Sequence, residues 1–189
     1  MINDAILPTG TQYEISHGPW QAIVTEQGAT LRSLHYEGTD VIKSFDADQS
    51  PTSSQGQQLL PWPNRIRDGH YTFDGMEQQL AVSEVDRHNA IHGLVAWSRW
   101  SLVEHTDTSV TQTIRIMARP GWPGTISVRL THRLSDAGLA VEVTARNVGT
   151  TAVPFGYAAH PYLCLGGTID DWTVDAPFTS WLQLSLIHI

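Results

Sequence analysis

Thr125-Ile126-Ser127-Val128-Arg129-Leu130-Thr131-His132-Arg133-Leu134-Ser135-Asp136-Ala137-Gly138-Leu139-Ala140-Val141-Glu142-Val143-Thr144 is the stretch whose reading decides the fold class. Ile126, Val128 and Leu130 recur at every second position, and Leu139, Val141 and Val143 do so again. A period of two puts such residues on one face of a half-buried strand. Ser135-Asp136-Ala137-Gly138 between the two runs is a turn signal. Working outward, residues 110–118 place Ile114 and Ile116 on one face in the same way. Residues 20–25 and 30–36 flank Glu26-Gln27-Gly28-Ala29 and form a further hairpin, while Asp68-Gly69 and Asp74-Gly75 close tight hairpins around His70-Tyr71-Thr72-Phe73. No stretch keeps a helical period for three turns. Many short strands separated by turn residues predict an all-β antiparallel sandwich or barrel and argue against a βαβ fold. Residues 46–58, rich in Ser, Gln, Asp and Gly without apolar periodicity, are expected to form a surface loop inside one domain.

A chain of 189 residues with 41% hydrophobic content suffices for one domain, or part of one, with a substantial core. The net charge of -8 and the lack of a Lys/Arg cluster disfavour nucleic acid and anionic membrane surfaces as partners. A neutral or cationic small ligand fits better. The first residues carry no basic n-region and no long apolar run, so the cytoplasm is the expected location. Cys164 is the single cysteine, in agreement with a reducing compartment, and Lys43 is the single lysine, which leaves little room for Schiff-base or P-loop chemistry.

Three polar spots interrupt the apolar pattern. In Leu59-Leu60-Pro61-Trp62-Pro63-Asn64-Arg65-Ile66 two prolines fix the backbone around a Trp just before an Arg. Arg65 in such a mount either grips sugar hydroxyls through its planar fork or makes a surface ion pair, and Asn64 is expected to brace the loop by bonding backbone groups. Arg67 reads as surface. In Arg87-His88-Asn89-Ala90-Ile91-His92-Gly93-Leu94 two histidines stand four apart, but no Glu follows His88, no Cys pair is near and Gly93 breaks a helix. A metal site is therefore not expected. His92 reads as projecting from a loop or strand end beside close-packed backbone, either as a ligand-facing group or bonded to a carbonyl. In Phe155-Gly156-Tyr157-Ala158-Ala159-His160-Pro161-Tyr162-Leu163 one titratable group sits among small and aromatic residues, where an imidazole can hand a proton to an ether oxygen and recover it. Cys164 nearby lacks a third group to orient a Cys-His pair and reads as buried and inert. Of the seven tryptophans, most are expected to pack in the core rather than offer faces to a sugar.

Asn64-Arg65-Ile66, His92-Gly93-Leu94 and His160-Pro161-Tyr162, in that order on an all-β pattern, resemble the aldose 1-epimerase family of galactose mutarotase-like proteins. Gly28-Ala29-Thr30-Leu31 and residues 64–75 match as segments. The resemblance covers nearly the whole chain and implies a large antiparallel β-sandwich that interconverts the α and β anomers of free aldohexoses without a cofactor. It implies sugar-binding roles for Asn64, Arg65 and His92, and for His160 the role of general acid at the ring oxygen. The family's base is a late glutamate after a sugar-binding aspartate, and neither position is matched here. Asp170, Asp171 and Asp175 come too soon after His160 and read as turn and surface residues. The sandwich is accordingly expected to be incomplete at the C-terminus. Residues 1–183 form the N-terminal part of the domain. Leu184-Ser185-Leu186-Ile187-His188-Ile189 back-translates into a sequencing-adapter end and is expected to be a non-native tail. The full-length protein is then expected to be a mutarotase and the 189-residue chain alone to be inactive or barely to fold. A hexose 6-phosphate epimerase, with Arg67 or Arg87 meeting the phosphate, and a non-catalytic sugar-binding protein are the alternatives.

Overall fold

The computed structural model describes residues 6–180. The chain starts with a four-stranded antiparallel meander, β1 (Gln12–His17), β2 (Trp20–Thr25), β3 (Leu31–Tyr36) and β4 (Thr39–Asp40). Short ribbons follow: β5 (Gln58–Leu59), β6 (Arg65–Arg67), β7 (His70–Phe73), β8 (Met76–Gln79) and β9 (Asn89–Ile91). A second four-stranded meander comprises β10 (Ser101–His105), β11 (Ser109–Ile116), β12 (Ile126–Ser135) and β13 (Gly138–Asn147), and β14 (Ala158–Ala159) returns to pair with β5. The only helical pieces among the described residues are 3-10 turns at Val85–Arg87 and Ile169–Asp171. The fold is thus all β, and none of its described helices is long and apolar enough to cross a membrane.

The sandwich forms because the two meanders each have one apolar face and bury it against the other. Along β12, Ile126, Val128, Leu130, His132 and Leu134 are buried, with less buried residues between them. Tyr13, Ile15, Ala22, Val24, Leu31 and Leu34 of the first sheet meet Val110 and Leu134 of the second in one cluster. A second cluster gathers Trp100, Trp122, Ile116, Val128 and Leu130 around Leu60 and Ala90, and so seats the segments that carry the first two polar motifs. Gln112 ties the layers by donating from Nε2 to the carbonyl of Thr25 at 3.1 Å.

The turns behave as their residues dictate. Gly28 and Ala29 carry positive φ between β2 and β3, Asp74 and Gly75 do so between β7 and β8, and Ser135 pairs with Gly138 where β12 turns into β13. Asp68-Gly69 also has positive φ at both residues, but it joins β7 to a strand, β6, whose ladder partner is β9.

Two expectations need correction. β13 was expected to be half-buried like β12, yet Val141 is 38% exposed and only Gly138 of the strand is fully buried. Leu139 and Val143, on the same face, are only partly buried against the margins of the two core clusters, and β13 is the last strand of its sheet among the described residues. Residues 46–58 are not simply a surface loop, because Gln55, Gly56, Gln57 and Gln58 are buried. Two of their side chains bond backbone carbonyls: Gln57 Nε2 donates to the carbonyl of Ala96 at 3.0 Å, and Gln58 Nε2 to that of Ala29 at 3.3 Å. The expected tail at 184–189 lies outside the described residues.

Candidate functional site

The three polar motifs meet through backbone pairing. β6 pairs with β9, so Arg65 stands opposite Ile91 and brings Asn64 beside His92. Asn64 and His92 both adopt the left-handed conformation, φ 59° and 60°, which turns each chain sharply at the ribbon's end. The Asn64 N–H donates to His92 Nδ1 at 3.1 Å, and the His92 N–H donates to the Asn64 carbonyl at 3.0 Å. Gly93 is required because a Cβ there would lie 2.0 Å from the carbonyl oxygen of Leu60. His92 therefore does project from a strand end beside close-packed backbone. Asn64 braces the loop, but through its backbone, while its side-chain Oδ1 sits 3.4 Å from Arg65 Nη1.

His160 reaches the same place from β14. Its N–H donates to the carbonyl of Gln57 at 3.1 Å and its carbonyl accepts from Gly56 at 2.9 Å. Its ring stands edge-on to that of His92, centroids 5.4 Å apart, and stacks on Tyr162 at 5.3 Å. Tyr162 is anchored in turn, donating from its hydroxyl to the carbonyl of Ser53 at 3.1 Å. Asn64, Arg65, His92, His160 and Tyr162 line one open cavity of about 670 Å³, a size suited to a small molecule.

Arg65 was left open between an ion pair and a ligand grip, and its position satisfies both. Nε donates to Glu84 Oε2 at 2.7 Å and Nη2 to Oε1 at 2.8 Å, while the residue lines the cavity. This bidentate pair holds the Glu84 carboxyl down at about 2 and raises the guanidinium further. Burial, assisted by the nearby His160 and Arg65, lowers His92 to about 4. His92 is accordingly neutral at neutral pH. Since the Asn64 N–H can only donate, Nδ1 must accept and the proton must sit on Nε2.

The sequence reading missed Glu84, Ser53, Ser54 and Asp86, all of which line the cavity. Nothing local marks Glu84 in Ser83-Glu84-Val85-Asp86-Arg87, because only the β6–β9 pairing brings it to Arg65. Arg67 is exposed as expected, whereas Arg87 lies on the cavity rim. Among the described residues no tryptophan lines this cavity; Trp100 and Trp122 are core residues and Tyr162 is an aromatic wall. Cys164 was expected to be buried and is partly exposed. Asp171 accepts from the Thr168 hydroxyl at 2.8 Å in an exposed turn, in keeping with its surface reading.

Residues 11–183 match the sequence model of the aldose 1-epimerase family. The chain belongs to this family. Relatives of the family include the uncharacterized protein YihR of Escherichia coli K12, 34% identical over 171 residues, which cover 89% of this chain and 56% of that protein. The aldose 1-epimerase of the same organism is 25% identical over 189 residues, covering 90% and 54%. Among solved structures, the GalM/aldose epimerase homologue from C. elegans superposes with a TM-score of 0.72 at 23% identity, covering 84% of this chain and 52% of that one. The chain thus spans about half the length of the family relatives it matches.

Proposed function

We propose that this chain carries the sugar-gripping and proton-donating half of an aldose 1-epimerase site for free aldohexoses. The observation that carries the reading is the convergence of Arg65, His92 and His160 on one cavity. In this mechanism Arg65 Nη1 and His92 Nε2–H donate to sugar hydroxyls, and Asn64 Oδ1 accepts from one. His160 gives its proton to the ring oxygen as a base takes the proton of the anomeric hydroxyl. The C1–O bond breaks, the aldehyde forms, rotation about C1–C2 exposes its other face, and closure returns both protons. Concerted transfer avoids a full charge on either oxygen.

The cavity's own carboxylates do not suit the base's part. Glu84 is held by Arg65 and protonates only at about 2, which leaves it a poor proton acceptor at neutral pH. The base belongs instead to the family's C-terminal half, so this chain by itself binds an aldose and accelerates mutarotation little. Polarimetry of α-galactose and α-glucose tests the proposal on this chain fused to the C-terminal half of the E. coli aldose 1-epimerase. Mutarotation well above the buffer rate, abolished by His160→Ala, is expected. A folded fusion no faster than buffer removes the proposal. Arg87 on the rim is the one observation that favours a phosphorylated sugar, and Asp86 beside it opposes that choice.

A further inference from the structure

Glu84 enters the cavity from a segment outside all three motifs and sets the electrical character of the site. Its carboxylate takes two N–H bonds from Arg65, at 2.7 and 2.8 Å, and a third from Asn89 Nδ2 at 2.9 Å. The segment is closed on itself: the Glu84 N–H donates to the Asn89 carbonyl at 2.9 Å, and the Asn89 N–H to the Glu84 carbonyl at 3.1 Å. Side-chain exposure is only 25% for Arg65 and 20% for Glu84, so solvent does little to loosen the pair.

Two consequences follow. The Nε–H and one Nη2 N–H of Arg65 are occupied by Glu84, which leaves the second Nη2 N–H and Nη1 to meet a ligand, Nη1 with only a long 3.4 Å bond to Asn64. The positive charge of Arg65 is also cancelled within the cavity wall. The remaining charged side chains of the lining, Asp86 and Arg87, are again one anion and one cation. Among the described residues, a lining of two cations, Arg65 and Arg87, and two anions, Glu84 and Asp86, offers hydrogen bonds to hydroxyl groups but no net attraction for a dianion.

We infer that Glu84 is the positioning and specificity-determining residue of this cavity, holding Arg65 in a bidentate pair that admits uncharged polyols and disfavours anionic sugars. The inference rests on the reading of the cavity as an aldose site. Glu84 acts on the ligand through Arg65.

The experiment uses the 189-residue chain and its E84Q, E84D, R65Q and R65Q/E84Q variants, with folding of each checked by amide NMR dispersion. Each is titrated with galactose and with glucose 6-phosphate while the His92 and His160 imidazole resonances are followed. E84Q is expected to weaken galactose binding about tenfold and to improve glucose 6-phosphate binding by a similar factor. E84D keeps the charge with a shorter reach, so it should lose galactose affinity and still reject the phosphate. In the R65Q background, E84Q should change galactose affinity less than twofold. An unchanged preference in E84Q, or an equal galactose loss with Arg65 already absent, overturns the inference. If the parent chain binds neither sugar, the aldose reading fails, and exchange of the Arg65 Nε–H with solvent still decides the positioning role. Exchange at least tenfold faster in E84Q than in the parent supports it; equal rates refute it.

Discussion

His92 shows how one backbone contact assigns a chemical role. Its Nδ1 accepts from the Asn64 N–H, which puts the ring proton on Nε2 and makes the residue a donor toward the cavity. Nitrogen-detected NMR of the imidazoles should find the Nε2–H tautomer at pH 7 and protonation only near pH 4. A ring half protonated near pH 6.5 contradicts the assignment. Gly93 beside it has φ +78° and no room for a side chain, so Gly93→Ala should cost about 3 kcal/mol of stability in denaturant unfolding. A cost below about 1 kcal/mol would show that the Leu60 backbone yields. His92 was legible from Ile91-His92-Gly93-Leu94 because a glycine after a strand marks close backbone approach. Glu84 was not legible, since an acid in a polar turn looks the same whether it faces solvent or an arginine nineteen positions away.

At the scale of the element, β12 alternates as its sequence predicts, yet one of its buried positions is His132. The ring is fully buried between Val110 of β11 and Val141 of β13, and neither nitrogen has a hydrogen-bond partner among the described residues. Burial lowers it from 6.5 to about 4. A base whose folded value lies below its unfolded one adds stability that is complete above pH 6.5 and is lost as the pH falls toward 4. His132→Leu, similar in volume and free of the orphaned nitrogens, should move the acid midpoint of unfolding to lower pH, with His92 and the carboxylates lowered by folding, Glu84 and Glu26, supplying acid sensitivity that remains. Far-UV circular dichroism against pH measures this, and an unmoved midpoint would count against it. Residues 46–58 illustrate the opposite failure of reading. Glutamines without periodicity look like loop, but buried Gln57 and Gln58 bond the carbonyls of Ala96 and Ala29 through their side chains, and Gln58 also pairs with Ala159 in the short β5–β14 ladder.

For the whole molecule, the decisive features are the meeting of two meanders and the edges they leave. Among the described residues β13 runs for ten residues as an edge strand with Val141 exposed. An uncovered edge of that length is a template for further strand pairing. Analytical ultracentrifugation should therefore show concentration-dependent association, and Val141→Lys should reduce it; a chain monomeric at all concentrations would refute this. The all-β class, the alternation of β11 and β12 and the turns at Gly28-Ala29, Asp74-Gly75 and Ser135–Gly138 were determined by the sequence alone, because alternation and turn residues act over a few neighbours. So was the family, through Asn64-Arg65-Ile66, His92-Gly93-Leu94 and His160-Pro161-Tyr162. Only the tertiary structure decided which carboxylate neutralises Arg65, which aromatic stacks on His160 and which strand is left uncovered. Those depend on pairing between segments far apart in the chain, such as β6 with β9 and β5 with β14, and no local pattern encodes the partner of a strand.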